Sequence, residues 1–383
     1  MPVLIALVLV IICVIFFIYT RSKSNNSTII ESLGSSVKSL ALDKELASLV
    51  KAHEADKIFE WIAKHLVNLE SLSIQSFELN DARVIENFTP IMKRLKSLSL
   101  FEIPTDVLSA KCFKNTQLEE LKVTNCKYVT ENFFLHFNTL KSLTISSCRK
   151  LTFESYAHIL KTNLGLKQLT IEIDIDSIRV EYLKITSLER SKDLVNFIAT
   201  KLQEIEDLTM DFCCPNVYMF GDLPNLKKLK IISNELQDIN KLLEKLSQKN
   251  IVEELEISGE NLWVDIKCLR KMTNIKKLTL FGDGEFAEYI PTLIEPLNKL
   301  KELNIEYAFL HYELLDSLIQ ILKREIGERP KLQVQAGRFL GEESLLKKLL
   351  KDNKDIIEVR YRLSSSSTLH LKDRCLKFCF CYI

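Results

Sequence analysis

A short apolar pattern returns along most of this chain and limits the folds open to it. The segment Leu140–Cys148 reads LKSLTISSC, and its pattern LxxLxLxxC recurs at intervals of roughly 20 to 30 residues. A regular return at this period is typical of a stack of similar units that share one elongated core. The copies begin at Val37, Leu69, Leu95, Leu118, Leu140, Leu166, Ile205, Leu226, Val252, Ile275 and Leu300, with a degenerate copy at Leu332 and a last candidate strand at 357–361.

Each copy contains the alternation xLxLx, which places two apolar side chains on one side of a short strand and three variable side chains on the other. A lone strand of this length cannot bury its apolar side, so the copies must stack in parallel register. The stretches between them show helical periodicity, as in 129–137 and Phe153–Leu160, and Thr130 and Thr152 stand at the N-cap positions of these helices. We therefore predict an α/β solenoid, a horseshoe with parallel strands on the concave face and helices on the convex face.

One interval is out of step with the rest. The gap between Leu166 and Ile205 is far longer than the others, and the intermediate candidate that begins at Val180 comes too early. We expect an irregular or inserted unit near 174–193.

The N-terminal segment Val3–Tyr19 is an unbroken apolar run of about the length that crosses a ~30 Å hydrocarbon layer as a helix. No Lys or Arg precedes it, while Arg21 and Lys23 follow it directly, and this asymmetry favours a cytosolic position for the rest of the chain. We predict a single-pass membrane protein with one N-terminal transmembrane helix.

A cleaved secretory signal is the competing interpretation of the same run. The chain would then be a secreted or cell-surface protein, and the glycosylation triplets at Asn25, Asn26 and Asn87 would bear on it. The predicted organisation is an anchor or signal segment at 1–21, a polar spacer at 22–32, the repeat array at 33–362 and a tail at 363–383.

The predicted tail contains a serine run followed by Cys375, Cys379 and Cys381. We expect an unstructured end with free thiols, and acylation and metal binding are the alternatives.

Two copies carry a family resemblance. The segments Cys126–Thr130 and Cys148–Thr152 each follow LxxLxV or LxxLxI, and together these residues resemble the cysteine-containing leucine-rich repeat LxxLxLxxCxxLTxxxL of F-box proteins, over residues 33–340. The resemblance implies that the polar side chain after each strand is buried and bonds to backbone groups of neighbouring turns. The residues to which it assigns this structural role are Cys126, Cys148, Cys213 and Asn234.

The register also predicts which side chains line the concave face, where a partner would bind. In the first row the sign of the charge alternates from Asp207 through Lys228, Glu254 and Lys277 to Glu302, which predicts a ladder of ion pairs. Earlier strands have small, uncharged side chains, which leave room for a partner. The predicted partner-binding residues are Phe101, Lys122, Thr124, Thr144, Ser146, Thr170, Glu172, Thr209, Asp211, Lys230, Ile232 and Phe281.

The sequence does not contain the usual signs of chemistry. HExxH, a glycine-rich phosphate loop, GxSxG and paired CxxC are absent, and the six histidines are dispersed. The net charge of +1 provides no field to attract nucleic acid. We therefore expect a protein that is not an enzyme, has no catalytic residues, metal, cofactor or small-molecule substrate, and binds another protein. The alternative implied by the resemblance is a substrate-recognition subunit of an SCF-type ubiquitin ligase with a divergent or missing F-box.

Overall fold

The computed structural model describes the chain from residue 36 to residue 362, with gaps between the described ranges. These ranges are 36–49, 55–77, 82–103, 113, 116–172, 184–211, 216–232, 238–259, 264–281, 288–324, 329–340 and 342–362. The predicted anchor at residues 3–19, the spacer and the tail lie outside them. Among the described helices, none is long and apolar enough to cross a membrane.

Short strands follow one another at every predicted copy. They are β1 Ser39–Leu42, β2 Ser71–Gln75, β3 Ser97–Phe101, β4 Glu120–Thr124, β5 Ser142–Ser146, β6 Gln168–Glu172, β7 Asp207–Asp211, β8 Lys228–Ile232, β9 Glu254–Ser258, β10 Lys277–Phe281, β11 Glu302–His311, β12 Leu332–Leu340 and β13 Ile357–Arg362.

Helices fill the intervals between strands. They are α1 Lys44–Leu49, α2 Ala55–His65, α3 Ala82–Met92, α4 Glu131–Phe134, α5 Phe153–Thr162, α6 Lys184–Lys201, α7 Ile239–Lys249, α8 Ile266–Arg270, α9 Ile290–Ile294, α10 Tyr312–Arg324 and α11 Glu343–Asp352, with a 3₁₀ helix at Val217–Asp222.

The chain divides into two compact units, with the boundary between Thr139 and Leu140. In the first unit, β1 to β4 pair in chain order, all parallel. In the second unit, β5 to β13 do the same. This arrangement of parallel strands and outer helices fits a leucine-rich repeat fold, and the predicted α/β repeat solenoid is confirmed at this level.

The pairing register follows the leucines. In the first unit Leu72 pairs with Leu98 and Leu98 with Leu121, and all three side chains are at most 1% exposed. An equivalent row in the second unit runs from Leu143 to Leu303. A slip of one residue would expose every leucine side chain of this row to solvent, so burial of the row holds the strands in register.

Two features differ from a plain repeat. The predicted irregular interval contains α6, an 18-residue helix, and Ile185 of the early candidate lies in it rather than in a strand. Near the end of the chain, β11 and β12 are ten and nine residues long, about twice the usual length, and their pairing shifts between Ile305 and Phe309. The last units are therefore more extended than the sequence pattern indicates.

The turns after β2, β3, β4 and β5 share one backbone conformation. Ser76, Glu102 and Asn125 in the first unit and Ser147 in the second all have positive φ values between 53° and 58°. Each of these residues directly follows a strand, and the backbone N–H of Ser76 donates to the carbonyl of Phe101, the last residue of the next strand, at 2.9 Å. The left-handed residue ends the strand while its N–H keeps a partner.

Candidate functional site

The predicted partner-binding residues lie on the side of the strands opposite the leucines. Lys122 is exposed, Ser146 is buried, and the others whose side chains are described are half-buried. For Asp211 the structure describes the backbone position in β7 and not the side chain. Phe101, Lys122 and Thr124 belong to the first unit and the remaining nine belong to the second, so each set is described by itself.

In the first unit, Phe101 of β3 pairs with Thr124 of β4, while Lys122 pairs with Ser99. The hydroxyl oxygen of Thr124 is shielded from water and has no hydrogen-bond partner among the described residues. Beside this pair, the Glu102 carboxylate accepts hydrogen bonds from the Ser76 hydroxyl at 3.1 Å and the Asn125 amide at 3.2 Å. These contacts hold the turns of three neighbouring repeats together.

In the second unit, eight of the nine predicted residues form two adjacent rows. Thr144, Thr170, Thr209 and Lys230 are neighbours in register, and so are Ser146, Glu172, Asp211 and Ile232. The Ser146 hydroxyl donates to the Glu172 carboxylate at 2.5 Å, which fixes that side chain on the face. The rows are mainly small and polar on β5 and β6.

Two large apolar side chains flank a serine on β8, β9 and β10, in the row nearest the carboxyl ends of the strands. Ile232 and Phe281 are each in register with Ser258, one on either side of it. Adjacent strands are about 4.8 Å apart, so the backbones of Ile232 and Phe281 are about 10 Å apart, with Ser258 between them. Both apolar side chains are half-buried on the water-facing side of the sheet. We refer to Ile232, Ser258 and Phe281 together as the notch.

Ion pairs join the strands beside the notch. Lys228 lies 2.7 Å from Glu254, Lys230 lies 2.9 Å from Glu256, and Lys277 lies 2.9 Å from Glu302. The hydrogen bond from Lys228 to Glu254 raises the pKa of that lysine, and the bond from Lys277 to Glu302 does the same for Lys277. Most charged side chains in this part of the face therefore form ion pairs with a neighbouring strand.

Asp207 stands at the start of the same ladder and behaves differently. Burial raises the pKa of its carboxyl, although Lys228 nearby lowers it in part. The alternating signs in the sequence correctly indicated the pairs Lys228–Glu254 and Lys277–Glu302, and they gave no sign that Asp207 is half-buried.

A second ladder lies one residue before the strands and was missed in the sequence. Lys227 lies 2.7 Å from Glu206 and Lys276 lies 2.7 Å from Glu253 in the second unit. The signal was present as pairs of like charge, such as Lys276-Lys277, at the start of several copies. Lys276 pairs with Glu253 of the preceding copy and Lys277 with Glu302 of the following one, so one doublet takes part in two ion pairs.

The two described cysteines of the repeat motif are buried beneath the turns. The Cys126 thiol is 0% exposed and donates to the carbonyls of Thr124 at 3.4 Å and Leu100 at 3.7 Å. The Cys148 thiol is 5% exposed and donates to the carbonyl of Ser146 at 3.4 Å. Burial raises the pKa of Cys126, so this thiol stays protonated and is a poor nucleophile. Cys213 and Asn234 lie outside the described residues.

Asn163 is a structural residue that the sequence did not single out. It caps the end of α5, is 1% exposed, and donates from its amide to the carbonyl of Ile159 at 3.0 Å. Its amide oxygen accepts from the backbone N–H of Leu140 at 3.2 Å. An Asn directly after a helical segment could have served as the signal, because such residues often end helices.

A search of the described residues for three or more His, Cys, Asp or Glu side chains grouped as metal ligands finds no such group.

Comparison with known proteins finds similar folds only. No protein-family model matches the chain, and no curated protein sequence is similar to it. Among solved structures, an internalin from Listeria monocytogenes matches with a TM-score of 0.44 and 15% identity over 88% of this chain and 89% of that one. Rad7 in its yeast complex with Elc1 matches with a TM-score of 0.46 and 15% identity over 91% and 87%.

A third similar structure is the TLR13–ssRNA13 complex, with a TM-score of 0.41 and 16% identity over 78% of this chain and 45% of that one. At such identities and TM-scores these likenesses say nothing about what the chain binds. The repeat architecture is established by the strands, the register and the buried leucines of the chain itself.

Proposed function

We propose that this chain recognises another protein through the water-facing side of its strands, and that the notch in the second unit is the main point of contact. The observation that carries the proposal is the pair of large apolar side chains, Ile232 and Phe281, on a face where the repeat needs none. Apolar and aromatic side chains in such positions are the usual anchors of protein interfaces.

The surroundings of the notch support this choice. Lys230 and Glu256, directly beside it, are paired with each other at 2.9 Å, so a partner would not have to neutralise either charge. A rim of paired charges around an apolar centre is the common arrangement of interfaces, in which the centre supplies affinity and the rim excludes water. The small side chains on β5 and β6 leave access along the same face.

We further propose that residues 3–19 anchor the chain in a membrane with the repeats on the cytosolic side. The support is the length of the apolar run and the basic residues Arg21 and Lys23 that follow it. Alkaline extraction of the full-length chain would leave an anchored protein in the membrane pellet, and protease added to sealed vesicles would digest cytosolic repeats. A product found in the medium contradicts this part.

The recognition proposal is tested with partners captured by proximity labelling from the full-length protein. Ile232→Ser and Phe281→Ser are expected to weaken binding of the true partner by about tenfold or more, the usual effect of losing an apolar anchor. Leu164→Ser is the matched control, because Leu164 is a large exposed side chain of the second unit that lies outside the strands, at 51% exposure. Unchanged binding in both notch variants contradicts the proposal.

A substrate receptor of an SCF-type ubiquitin ligase is the second candidate. Its support is the burial of the motif cysteines, which the resemblance implies. Their thiols donate to the backbone carbonyls of Leu100, Thr124 and Ser146, which lie in strands. Pull-down of a Skp1-type adaptor by the full-length chain tests it. The absence of adaptor in the pull-down, with partners still bound to the repeats, leaves the first proposal standing and ends the second.

The secreted alternative depends on glycans, and Asn87 is poorly placed to hold one. Its side-chain amide donates to the carbonyl of Asp56 at 3.1 Å, and the adjacent Phe88 is 0% exposed. A glycan on that amide nitrogen would break this contact between α3 and α2. Glycosidase treatment of protein from the medium, with Asn25 and Asn26 replaced separately from Asn87, would test the alternative. A glycan at Asn87 would contradict the packing described above.

A further inference from the structure

The last strand of the second unit differs from its neighbours in how well its apolar side is covered. In each strand from β5 to β12, the apolar residue in the same register row as Leu143 is at most 2% exposed. In β12 this residue is Val334. Val359 is the next residue in register after Val334 and is half-buried, and so is Tyr361. By contrast, Leu40 and Leu42 of β1, the first strand of the first unit, are 5% and 3% exposed. The apolar side of the array is thus partly open to water at β13.

The backbone of β13 is also open on one side. The N–H of Leu332 donates to the carbonyl of Ile356 at 3.0 Å. In a parallel ladder alternate residues face alternate neighbours, so Glu358 and Arg360 direct their backbone groups to β12 while Val359 and Tyr361 direct theirs away from it. Within the described ranges, β12 is the one strand that pairs with β13. The strand has no proline, and such an edge is a template for another strand.

The charges on β13 have a pattern that complements itself. Glu358 and Arg360 both lie on the water-facing side, two residues apart and on either side of Val359, and the guanidinium nitrogen of Arg360 is 3.1 Å from the Glu358 carboxylate. If a second copy of the strand runs antiparallel with a two-fold axis at Val359, Glu358 of each copy faces Arg360 of the other. The same axis places Ile357 opposite Tyr361.

Ladder geometry agrees with this axis. The two Val359 residues direct their N–H and carbonyl groups to each other and form a hydrogen-bonded pair. Glu358 and Arg360 then form the adjacent non-hydrogen-bonded pairs, in which cross-strand side chains are closest. A two-fold axis repeats each of these contacts, so both charge pairs form at once.

We propose that β13 is a self-association surface, and that a second copy of this chain pairs with it in antiparallel orientation about Val359. Pairing would cover the half-buried side chains of Val359 and Tyr361 and complete the hydrogen bonds of the open edge. The occupant is a second copy because Glu358 precedes Val359 and Arg360 follows it. In an antiparallel pair about Val359, each Glu358 therefore faces the Arg360 of the other copy.

The test uses the full-length chain in detergent micelles, with mass measured by light scattering and sedimentation over a range of protein concentrations. The wild-type chain is expected to form a dimer. Glu358→Arg places like charges opposite each other in both pairs, and so does Arg360→Glu, so each single variant is expected to weaken the dimer by about tenfold or more. The double variant E358R/R360E restores opposite charges across the axis and is expected to restore the dimer.

Lys228→Glu serves as the matched control, since it reverses a charge on the same face far along the array from β13 and should leave the dimer unchanged. Thermal unfolding of each variant shows that it is folded. The proposal is overturned by a wild-type chain that is monomeric at every concentration, including the case in which residues 363–383 of the same chain cover the edge. It is also overturned by single variants that dimerise like the wild type, or by a double variant that stays as weak as the single ones.

Discussion

The two units of this chain are built on the same strand pattern and stabilised in different places. In the first unit, phenylalanine rings pack edge to face in the interior, with Phe88 5.5 Å from Phe59 and 6.4 Å from Phe113, which lies 4.9 Å from Phe133. In the second unit the described core is mainly aliphatic, and ion pairs such as Lys230–Glu256 join the strands on the surface.

The water-facing side also differs between the two units. In the first unit it has mostly small polar side chains from β1 to β3. In the second unit, ion pairs such as Lys228–Glu254 and Lys230–Glu256 join neighbouring strands on this side. We infer that a rigid, charge-paired surface around the notch is the better platform for specific recognition, because few side chains need to be ordered on binding.

The largest expected effect comes from removing a ring. Phe88→Ala is expected to lower the free energy of unfolding of the first unit by about 3 to 5 kcal/mol, because a 0% exposed ring with two ring neighbours leaves a cavity. Hydrogen exchange in peptides from each unit, with denaturant titration, measures where the loss falls. A change below about 1 kcal/mol would mean that the rings do not determine the stability of that unit.

The next effect is a steric one in the second unit. Gly221 lies in the 3₁₀ helix so close to α7 that an added Cβ would stand 2.6 Å from Cβ of Lys245. Gly221→Ala is therefore expected to cost about 1 to 3 kcal/mol of unfolding free energy. Gly165→Ala is the matched control, because nothing lies within 4 Å of its added Cβ. Equal stability of the two variants in urea titrations would contradict the close approach.

Smaller effects are expected for the surface ladder. In a double-mutant cycle, Lys230→Met and Glu256→Gln should show a coupling of about 0.2 to 1 kcal/mol at low salt. The coupling should fall in 1 M NaCl, where the screening length is about 3 Å. Lys122→Met in the first unit is the control, because Lys122 makes no ion pair with a described residue. A coupling that does not depend on salt would contradict an electrostatic origin.

The smallest effect concerns pH. Burial raises the folded-state pKa of Asp207, so folding favours its protonated form. This carboxyl therefore supports folding below its unfolded pKa, and the contribution is lost as pH rises through the folded pKa. The Asp207→Asn variant is expected to have a slightly higher free energy of unfolding than the wild type at pH 7, and no such advantage at pH 3. Urea titrations at both pH values check this, and the opposite order would show that Lys228 outweighs burial.

The strand register could be predicted from the sequence, whereas the packing of the phenylalanine rings could not. Alternation of leucines specified the register of the described strands, because a slipped strand would expose its leucines. The rings of the first unit were not foreseen, since Phe59, Phe88 and Phe113 come from the stretches between strands and have no common spacing. The side of a strand can be read from alternation, whereas contacts among connecting segments depend on how the whole unit closes.

The N-cap residues of α4 and α5 also show that a contact depends on more than the position in the repeat. Thr130 and Thr152 occupy identical places in the motif and both precede helices, but only Thr152 accepts a hydrogen bond from the third residue of its helix. Ser155 at that position returns the bond to Thr152, while Phe133 at the equivalent position in α4 cannot. The residue three places further on was the useful signal.

Alternation predicts the side of a strand on which a residue lies, but not how exposed that residue is. Thr279 stands on the water-facing side of β10, as the alternation requires, and is nevertheless 2% exposed. Its neighbours in register are Glu256 and Asn304, which are longer. Whether a small side chain on a face is open to a partner depends on the length of the side chains around it, and this cannot be read from one strand at a time.

The left-handed residue that follows β2, β3, β4 and β5 has a consequence for how such an array can grow. The N–H of Ser76 bonds to the carbonyl of Phe101, and the N–H of Glu102 bonds in the same way to the carbonyl of Thr124. These two repeats thus leave the sheet through the same kind of junction, and in both the acceptor is the carbonyl of the last residue of the next strand. A gene duplication that copies the chain from one such residue to the next would insert a complete unit and leave both junctions chemically unchanged.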